Sequence, residues 1–454
     1  MTMLFYLTLT VLLSLTHPYP YVHNSPPPSF HTLSHRSNKI HPPCRLSSTS
    51  APSLDENIGE NIGENIDQHQ HKSPKTGVLL LNLGGPSNSS DVEGFLYNLF
   101  ADPDIIRLPK FLSSLQKPLA YFISSNRAPK SQKAYDSIGG GSPIVKYTNA
   151  QADLIREKLQ QKYNMNVETF VGMRYWFPFT EQALDDVKNA NLDALVILPL
   201  YPQFSVSTSG SSLKLLQEEF AKHPQDFAKL KHTVIPSWFD RPGYISCVSS
   251  LIKKELQSFS EEEKNSGGPL HVLFSAHGVP QSYIENGDPY QGQIQECFRL
   301  ISDTLPKEVT THLSYQSRVG PIEWLKPYTD TVLPELGQKG IKNLVVVPIS
   351  FVSEHIETLE EIDIEYKALA LESGIKNWRR CPALNTDKLF IEDMADMIVE
   401  ALEAPGVTLT EACVMNNCDG LTMPKKLLEV ETMKNDVGLK EGFMDFLNGF
   451  YKGG

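Results

Sequence analysis

The chain has 454 residues, which is long enough for two or three domains of ordinary size. A hydrophobic content of 40% and a charged content of 21% are typical of a globular protein. The formal net charge of −12 argues against nucleic-acid binding, because that function needs a net basic surface. The six cysteines are widely spaced apart from Cys413 and Cys418, which excludes a dense disulfide framework and favours a reducing compartment.

Residues 1–54 are predicted to be a targeting presequence. An apolar run at 3–15 has the length of a signal-peptide core, and the segment after it has basic but no acidic residues, as transit peptides do. Together they predict import into a plastid by a bipartite signal. A mitochondrial location, and a membrane anchor at 3–15, are the alternatives. Residues 55–75, which contain the acidic repeat ENIGENIGENID, are predicted to be a disordered linker.

From about Thr76 the pattern predicts an α/β fold. Short apolar, β-branched runs alternate with longer amphipathic stretches, as in buried parallel strands joined by crossover helices. The predicted strands are 78–83, 169–173, 194–200, 232–235, 271–275, 311–315, 344–349 and 379–382. The predicted helices are 90–100, 149–162, 180–190, 211–221, 243–257, 290–304, 325–336, 355–372 and 388–402.

An internal repeat divides this region into two similar halves. VLLLNLGGP at 78–86 aligns without gaps with VLFSAHGVP at 272–280. LVILPLYPQFSVS at 195–207 aligns in the same way with LVVVPISFVSEHI at 344–356. We therefore predict two similar Rossmann-like lobes, each with a parallel sheet flanked by helices.

The lobes are predicted to cover 76–240, with a long insertion after the first strand, and 241–405. The role of an extension at 406–454 stays open. Polar and glycine-rich residues follow the predicted strands in both halves, and ligands of open α/β sheets bind beyond the carboxyl ends of the strands. The candidate active site is therefore expected in a cleft between the lobes.

Nine segments in order between residues 76 and 403 together resemble the ferrochelatases, which complete protoheme synthesis. They are NLGGP, FLYNLFADPDIIRLP, RAPKSQKAYDSIGGGSP, GMRYWFPFTE, LYPQFSVSTSGSS, SAHGVP, DPY, YQSRVGPIEWLKPYTD and FVSEHIETLEEIDIEY. Several of them are most similar to plant and algal members. The resemblance implies a chelatase-type fold and a lyase of heme biosynthesis that inserts Fe²⁺, as a substrate, into protoporphyrin IX with release of two protons.

His277 and Glu357 are the candidates for the metal-insertion site. Insertion requires a base of near-neutral pKa and carboxylate ligands. His277 follows a predicted strand where the first half has Leu83, and the residue pattern alone favours a structural histidine. The resemblance implies instead that His277 takes up pyrrole protons and contacts the metal, and that Glu357 is the active-site glutamate. Whether His277 is a base, a ligand or both stays open.

The stretch SEHIETLEEIDIE is rich in carboxylates. Four of them recur at offsets of three, four and four residues: Glu354, Glu357, Glu361 and Glu365. This spacing predicts four carboxylates along one stripe of a helix, and a solvated acidic face is the alternative interpretation. The resemblance implies that Glu361, with Asp363, extends an acidic track that delivers the metal or removes protons.

The long insertion contributes candidate residues for porphyrin binding. They are Arg127, Lys130, Tyr135 and Ser142, near three consecutive glycines. Positive groups and exposed backbone N–H donors suit the two propionates of a porphyrin, whereas an ordinary surface loop is the alternative.

Further porphyrin contacts are predicted in the cleft. The resemblance places Arg174 and Tyr175 there, directly after a buried strand, and implies that Leu83 forms part of an apolar wall. Trp324 is predicted to stack on the ring, with a core position as the alternative. Residues 108–123 are apolar with two lysines and resemble the hydrophobic lip of the family, which predicts peripheral membrane contact. A core helix is the alternative for this segment.

The chain departs from the animal ferrochelatases, which hold a [2Fe–2S] cluster through four cysteines. The corresponding positions here are Val206, Thr410, Cys413 and Cys418, and two thiolates cannot form the usual four-ligand site. We therefore expect no cluster and no other permanently bound cofactor. A homodimer is an expectation from the family alone.

Two other functional classes stay open at this point. One is a chelatase that inserts cobalt or nickel into a related tetrapyrrole. The other is a two-lobed carrier of a tetrapyrrole or metal without catalytic activity.

Overall fold

A computed structural model describes residues 73–414 of the chain, except for Arg107, Pro109, Pro321 and Pro405. The predicted presequence, most of the predicted linker and most of the C-terminal extension lie outside the described residues.

Eight strands form two parallel sheets. They are β1 Lys75–Asn82, β2 Asn166–Met173, β3 Ala194–Pro199, β4 Lys231–Val234, β5 Leu270–His277, β6 Thr310–Gln316, β7 Asn343–Pro348 and β8 Asn377–Arg380. The sheet orders are β2-β1-β3-β4 and β6-β5-β7-β8, so the second sheet repeats the topology of the first. The prediction of two similar Rossmann-like lobes is confirmed, and all eight predicted strands are present.

Helices cover both sheets. They are α1 Val92–Ala101, α2 Gln116–Ser137, α3 Ile144–Tyr163, α4 Thr180–Asn189, α5 Ser211–Lys222, α6 Pro224–Phe227, α7 Pro242–Gln257, α8 Glu261–Gly267, α9 Gln281–Glu285, α10 Tyr290–Ser302, α11 Thr329–Gln338, α12 Lys367–Glu372, α13 Lys388–Glu403 and α14 Leu409–Val414. Short 3₁₀ helices lie at Ser89–Asp91 and Lys110–Leu115, and π-helices lie at Val206–Gly210 and Glu357–Tyr366.

The central strand β1 shows why its apolar run forms a buried strand. Successive side chains of a strand point to opposite faces, and both faces of this sheet are covered. Val78 and Leu80 belong to a core cluster with residues of α3, α7 and α13. Leu79 and Leu81 belong to a second cluster with residues of α4, α5 and α14. Burial of each such side chain stabilises the fold by about 1.5–3 kcal/mol.

The end of the second lobe packs back on the first. Helix α13 contacts α3, where Lys158 Nζ lies 2.6 Å from Glu392 Oε1. Val407 then pairs with Val234 at the edge of the first sheet, and α14 packs against α5. The lobe limits at 76–240 and 241–405 therefore stay a prediction, although α7 begins close to the proposed division.

Helix α2 was expected from the sequence only at its start, where a core helix was the alternative interpretation for residues 108–123. Its buried face consists mainly of small residues, among them Ala120, Ser124 and Ala128, which produce little apolar periodicity. The proline at position 129 lies inside the helix and is another signal against it. Most of the segment 127–142, which carries the candidate propionate-binding residues, is thus helical and not a surface loop.

Candidate active site

His277 is the last residue of β5, at the carboxyl edge of the second sheet. Its Nδ1 lies 2.5 Å from the carbonyl oxygen of Gly278. A carbonyl can only accept a hydrogen bond, so Nδ1 carries the proton in the neutral ring and Nε2 presents its lone pair. Nε2 lies 3.6 Å from Oε1 of Glu357, the first residue of the second π-helix. The imidazole is therefore prepared to accept a proton or a metal ion beside a carboxylate.

Ser317 joins Glu357 to a second carboxylate. Its hydroxyl lies 3.2 Å from Glu357 Oε2 and 2.6 Å from Glu361 Oε2, and its backbone N–H donates to Glu361 Oε1 at 3.0 Å. The backbone of Ser317 has a φ of 63°, in the left-handed region that non-glycine residues seldom adopt. Such a conformation persists only where surrounding contacts hold it in place. Here those contacts are the hydrogen bonds of Ser317 to the carboxylates of Glu357 and Glu361.

Burial, and then the negative charge of Glu357, raise the pKa of Glu361 to about 7. Tyr366 Oη and Gln316 Nε2 also donate to this carboxylate, at 2.8 and 3.2 Å. A carboxyl group with this pKa exchanges its proton near neutral pH, which suits a group that receives and passes on protons.

The predicted stripe of four carboxylates is wrong. Glu354 precedes the helix and is buried, where it accepts hydrogen bonds from Arg380 Nη1 at 2.8 Å and from the backbone N–H of Ala383 at 3.0 Å. Arg380 Nε also binds Asp363 Oδ2 at 2.8 Å. The segment from Glu357 onward is a π-helix, whose i→i+5 hydrogen bonds alter the α-helical spacing that the prediction assumed. Among these residues the described contacts bring Glu361 to Glu357 and hold Asp363 at Arg380 instead.

His355 belongs to the lining of the site and was not singled out from the sequence. Burial lowers its pKa, so its ring is held neutral. Its ring centre lies 4.4 Å from that of Phe351, which in turn lies 6.2 Å from the ring centre of His277 in an edge-to-face arrangement. The only sequence signal for His355 was its position within the segment 344–356, which the internal repeat aligns with 195–207 of the first lobe.

The candidates on α2 face the site to different degrees. Tyr135 is buried, and its pKa is raised by burial and then by the charge of Glu357, so its side chain lies within electrostatic reach of that carboxylate. Lys130 is exposed, and its charge acts on Glu360 of the π-helix.

Arg127 also lies on α2, and Ser142 follows that helix. The guanidinium of Arg127 lies 5.7 Å from the ring centre of Phe100, and burial lowers its pKa. The backbone N–H of Ser142 donates to Pro86 O at 2.8 Å, beside the turn that follows β1. A Cβ on Gly85 would approach Ser142 Oγ within 2.7 Å, so a glycine allows this close packing.

Arg174 and Tyr175 meet at a buried carboxylate, that of Asp102. Oδ2 of Asp102 accepts hydrogen bonds from Arg174 Nη2 at 2.7 Å, from Tyr175 Oη at 2.8 Å and from Ser211 Oγ at 2.7 Å. Tyr175 is only 1% exposed. This burial argues against the predicted direct porphyrin contact for Tyr175, because both its ring and its hydroxyl have partners inside the protein. Asp102, the centre of this group, was not singled out from the sequence.

Leu83 and Trp324 lie beside the turns that follow the central strands. Leu83 is half-buried, directly after β1. Trp324 packs on Gly278, where an added Cβ would lie 3.2 Å from Trp324 Cε3 and 2.8 Å from Gln316 O. Its Nε1 donates to Val319 O at 2.9 Å, which fixes the indole next to the residue that follows His277.

Within the described part of the chain, no group of three or more His, Cys, Asp or Glu side chains is arranged to hold a metal ion. None of the helices described for residues 73–414 is both long and apolar enough to cross a membrane.

The fold and this site define a class: two-lobed α/β proteins with a histidine–carboxylate pair at the carboxyl edge of a parallel sheet. The ferrochelatase family model matches residues 75–402, and the chain belongs to the ferrochelatase family.

Three curated relatives show how similar the chain is to other members. It is 57% identical over 336 residues to "Ferrochelatase-2, chloroplastic" of Oryza sativa subsp. indica, which covers 73% of this chain and 62% of the relative. It is 55% identical over 338 residues to "Ferrochelatase-1, chloroplastic/mitochondrial" of Arabidopsis thaliana, covering 74% and 71%. It is 55% identical over 330 residues to "Ferrochelatase" of Picosynechococcus sp., covering 72% and 83%.

The match thus spans less than two thirds of the length of the rice relative. The resemblance to plant-type ferrochelatases is confirmed by these comparisons. The predicted plastid location is confirmed by the chloroplastic relatives, and the mitochondrial alternative also occurs in the name of one of them.

Proposed function

We propose that the chain is a ferrochelatase that inserts Fe²⁺ into protoporphyrin IX, forms protoheme and releases two protons. The observation that carries this proposal is the 3.6 Å distance between Nε2 of His277 and Oε1 of Glu357. A proton acceptor and a carboxylate at one point are the groups that pyrrole deprotonation and metal delivery require. Membership of the ferrochelatase family supports the choice of porphyrin and metal.

Proton removal begins at His277 in this mechanism. Its bare Nε2 accepts a pyrrole proton, and the resulting imidazolium is stabilised by the adjacent Glu357 carboxylate. Glu361, whose pKa is raised to about 7 mainly by burial, receives protons at the pH of a neutral compartment. The hydroxyl of Ser317 contacts both carboxylates and provides the link between them.

His277 and Glu357 are proposed to bind the incoming substrate metal. An imidazole nitrogen and carboxylate oxygens suit Fe²⁺ as ligands. The neutral His355 lines this region without adding a positive charge that would repel the cation. Glu361 and Asp363 are proposed as the acidic track, with Asp363 restrained by Arg380.

Porphyrin recognition is proposed to involve both lobes. Arg127, Lys130, Tyr135 and Ser142 of the insertion bind the propionates, through charge or through hydrogen-bond donors. Leu83 and Trp324 supply apolar surface on either side of the cleft. Arg174 contributes through the Asp102 group, which positions it at the end of β2.

Contact with a membrane surface is proposed for the start of the insertion. Four side chains there are large, apolar and exposed: Phe111, Leu115, Tyr121 and Phe122. Such a patch on a protein whose substrate partitions into membranes fits a peripheral contact. The homodimer remains an expectation from the family.

The absence of a [2Fe–2S] cluster also remains a prediction. Val206 supplies no thiolate at the first of the four positions. The side chains of Thr410, Cys413 and Cys418 lie outside the described residues.

Anaerobic assay of the purified chain with Fe²⁺ and protoporphyrin IX tests the proposed function, with protoheme formation as the readout. Cobalt and nickel salts and a second tetrapyrrole serve as comparison substrates. Protoheme formation with iron supports the proposal. Turnover only with the other tetrapyrrole, or tight porphyrin binding without metal insertion, contradicts it and favours a different chelatase or a carrier.

A further inference from the structure

The backbone of His277 is held by side chains from two other elements. Pairing between β5 and β7 ends at Ser275 and Pro348, so the peptide groups of His277 lie beyond it. The N–H of His277 donates to Ser350 Oγ at 3.0 Å, and its carbonyl accepts from Tyr290 Oη at 2.9 Å. Tyr290 Oη and Ser350 Oγ lie 2.8 Å apart.

These three contacts form a closed ring with a defined direction. Tyr290 has one hydroxyl proton, which it donates to the His277 carbonyl, so Ser350 must donate to Tyr290. Ser350 in turn accepts from the His277 N–H. Each donor and acceptor of the ring is matched once, and hydrogen bonds in such chains reinforce one another. We propose that Tyr290 and Ser350 are positioning residues that set the orientation and tautomer of the His277 imidazole.

The route from the backbone to the imidazole is short. The Nδ1 proton of His277 is bound by the carbonyl of the next residue, Gly278. The position of that carbonyl relative to the ring depends on the backbone torsion of His277, which the hydrogen-bond ring restrains. Loosening the backbone therefore weakens the contact that keeps Nε2 unprotonated and directed at Glu357.

Tyr290 is itself fixed against the first lobe. It begins α10, and its backbone N–H donates to Asp288 Oδ1 at 3.0 Å. Oδ2 of Asp288 accepts from Ser205 Oγ at 2.8 Å and from the N–H of Val206 at 2.9 Å. Both of those residues belong to the first lobe. The hydrogen-bond ring thus places His277 relative to the opposite wall of the cleft as well as within its own sheet.

The test uses Tyr290→Phe, Ser350→Ala and the double variant of the full chain, with two readouts. The first readout is kinetic and rests on the proposed function: it comprises kcat, KM for protoporphyrin and the pH profile of iron insertion. The second is the tautomer of His277 from the ¹⁵N chemical shifts of the labelled protein, assigned with His277→Ala, and it needs no activity. We expect kcat to fall on the order of 10–100-fold with KM changed by less than about twofold, because misplacement of a reacting group by 1 Å costs about this much. We also expect part of the His277 signal to move to the Nε2–H form.

Tyr244→Phe is the matched control. Tyr244 is buried, and its hydroxyl donates to Ile349 O at 3.3 Å, an oxygen that also accepts from Gln203 Nε2. Its removal therefore deletes a buried hydroxyl and leaves the carbonyl with a partner. Insertion kinetics and the His277 tautomer should match those of the unmodified chain.

The tautomer, kcat and melting temperature together distinguish a positioning role from a structural one. An altered tautomer with reduced kcat supports the proposal. The kcat of the double variant should lie within about twofold of the kcat of the less active single variant, because the same ring is broken in each case. Fully additive losses would contradict a ring. A lowered melting temperature with unchanged kcat and tautomer would reduce Tyr290 to a structural role and overturn the proposal. If the unmodified chain inserts no iron, the proposed function fails, whereas the tautomer measurement still decides the role of the ring.

Discussion

Nε2 of His277 and Oε1 of Glu357 lie 3.6 Å apart because the strands that lead to them, β5 and β7, are neighbours in the second sheet. His277 ends β5, and Glu357 begins the π-helix that follows β7. The contact becomes an ion pair only when the imidazole is protonated. Uptake of a proton by His277 therefore strengthens its attraction to Glu357, which is the behaviour expected of a base that must hold a proton briefly.

Replacement of Arg127 by Met should weaken porphyrin binding. A charged hydrogen bond to a propionate contributes about 1.5–3 kcal/mol, so KM for protoporphyrin should rise about tenfold or more with little change in kcat. The difference should disappear with a porphyrin whose propionates are esterified. Lys133→Ala, an exposed residue on the same helix, is the control and should change KM by less than about twofold. An unchanged KM in Arg127→Met would remove this residue from the binding site.

Replacement of Asp102 by Asn should destabilise the fold. The change leaves the guanidinium of Arg174 without its carboxylate, and removal of one partner from a buried ion pair costs about 3 kcal/mol. Urea unfolding measures this loss. Asp185→Asn breaks the surface pair with Lys188 and should cost less than about 1 kcal/mol. Equal effects of the two changes would show that the Asp102 group does not stabilise the first lobe.

Glu361 should make the stability of the chain pH-dependent. Its pKa in the folded state is raised to about 7, above the ordinary value that it regains on unfolding. The folded state therefore keeps this proton at pH values where the unfolded state has lost it. The free energy of unfolding should fall as the pH rises from about 5 to 7, by up to about 3 kcal/mol for this group.

The pH effect is measured by comparing urea unfolding of the unmodified chain with that of Glu361→Gln from pH 5 to 8. The variant has no titrating group at this position, so its stability should decline less over the same range. Parallel curves for the two proteins would show that Glu361 has an ordinary pKa.

The exposed apolar patch should mediate membrane binding. Phe111 is 76% exposed, and transfer of such a side chain out of water contributes about 1.5–3 kcal/mol. Phe111→Glu should therefore reduce co-sedimentation with lipid vesicles about tenfold. Leu389→Glu changes an exposed apolar residue of α13 and should leave vesicle binding unchanged. Equal binding by Phe111→Glu and the unmodified chain would count against a membrane contact through this patch.

The positions of the strands and the similarity of the two lobes followed from the sequence for a physical reason, whereas the strand order did not. Parallel strands buried on both faces appear as continuous apolar runs, such as Val78–Leu81 within β1, and the gapless repeat places these runs in the same topological order. His277 and Glu357 were predicted to share one site from the resemblance and from their positions just after predicted strands, whereas the pairing of β5 with β7 is seen only in the structure.

Other features of the fold and the candidate site depend on tertiary contacts that the residue pattern does not predict. The buried face of α2 consists mainly of small residues, so no continuous apolar stripe marked it. The π-helix at Glu357–Tyr366 cannot be distinguished from an α-helix by spacing of its carboxylates. The resemblance places Tyr175 in the cleft, whereas its hydroxyl donates to Asp102, which lies far away in the sequence. Ser317, Tyr290 and Ser350 are each placed by several hydrogen bonds to residues distant in the sequence, which no sequence periodicity encodes.

The most direct test of the account is single-turnover insertion of Fe²⁺ into protoporphyrin IX by His277→Ala, compared with His271→Ala. His271 lies near the opposite end of the same strand, so the control removes an imidazole from β5 away from the candidate site. Loss of a general base lowers rates by about 10²–10⁴-fold, and we expect a loss of this size in His277→Ala with porphyrin binding and the unfolding transition preserved. His271→Ala should insert iron at the rate of the unmodified chain. Insertion by His277→Ala at that same rate would contradict the role assigned to the histidine–glutamate pair.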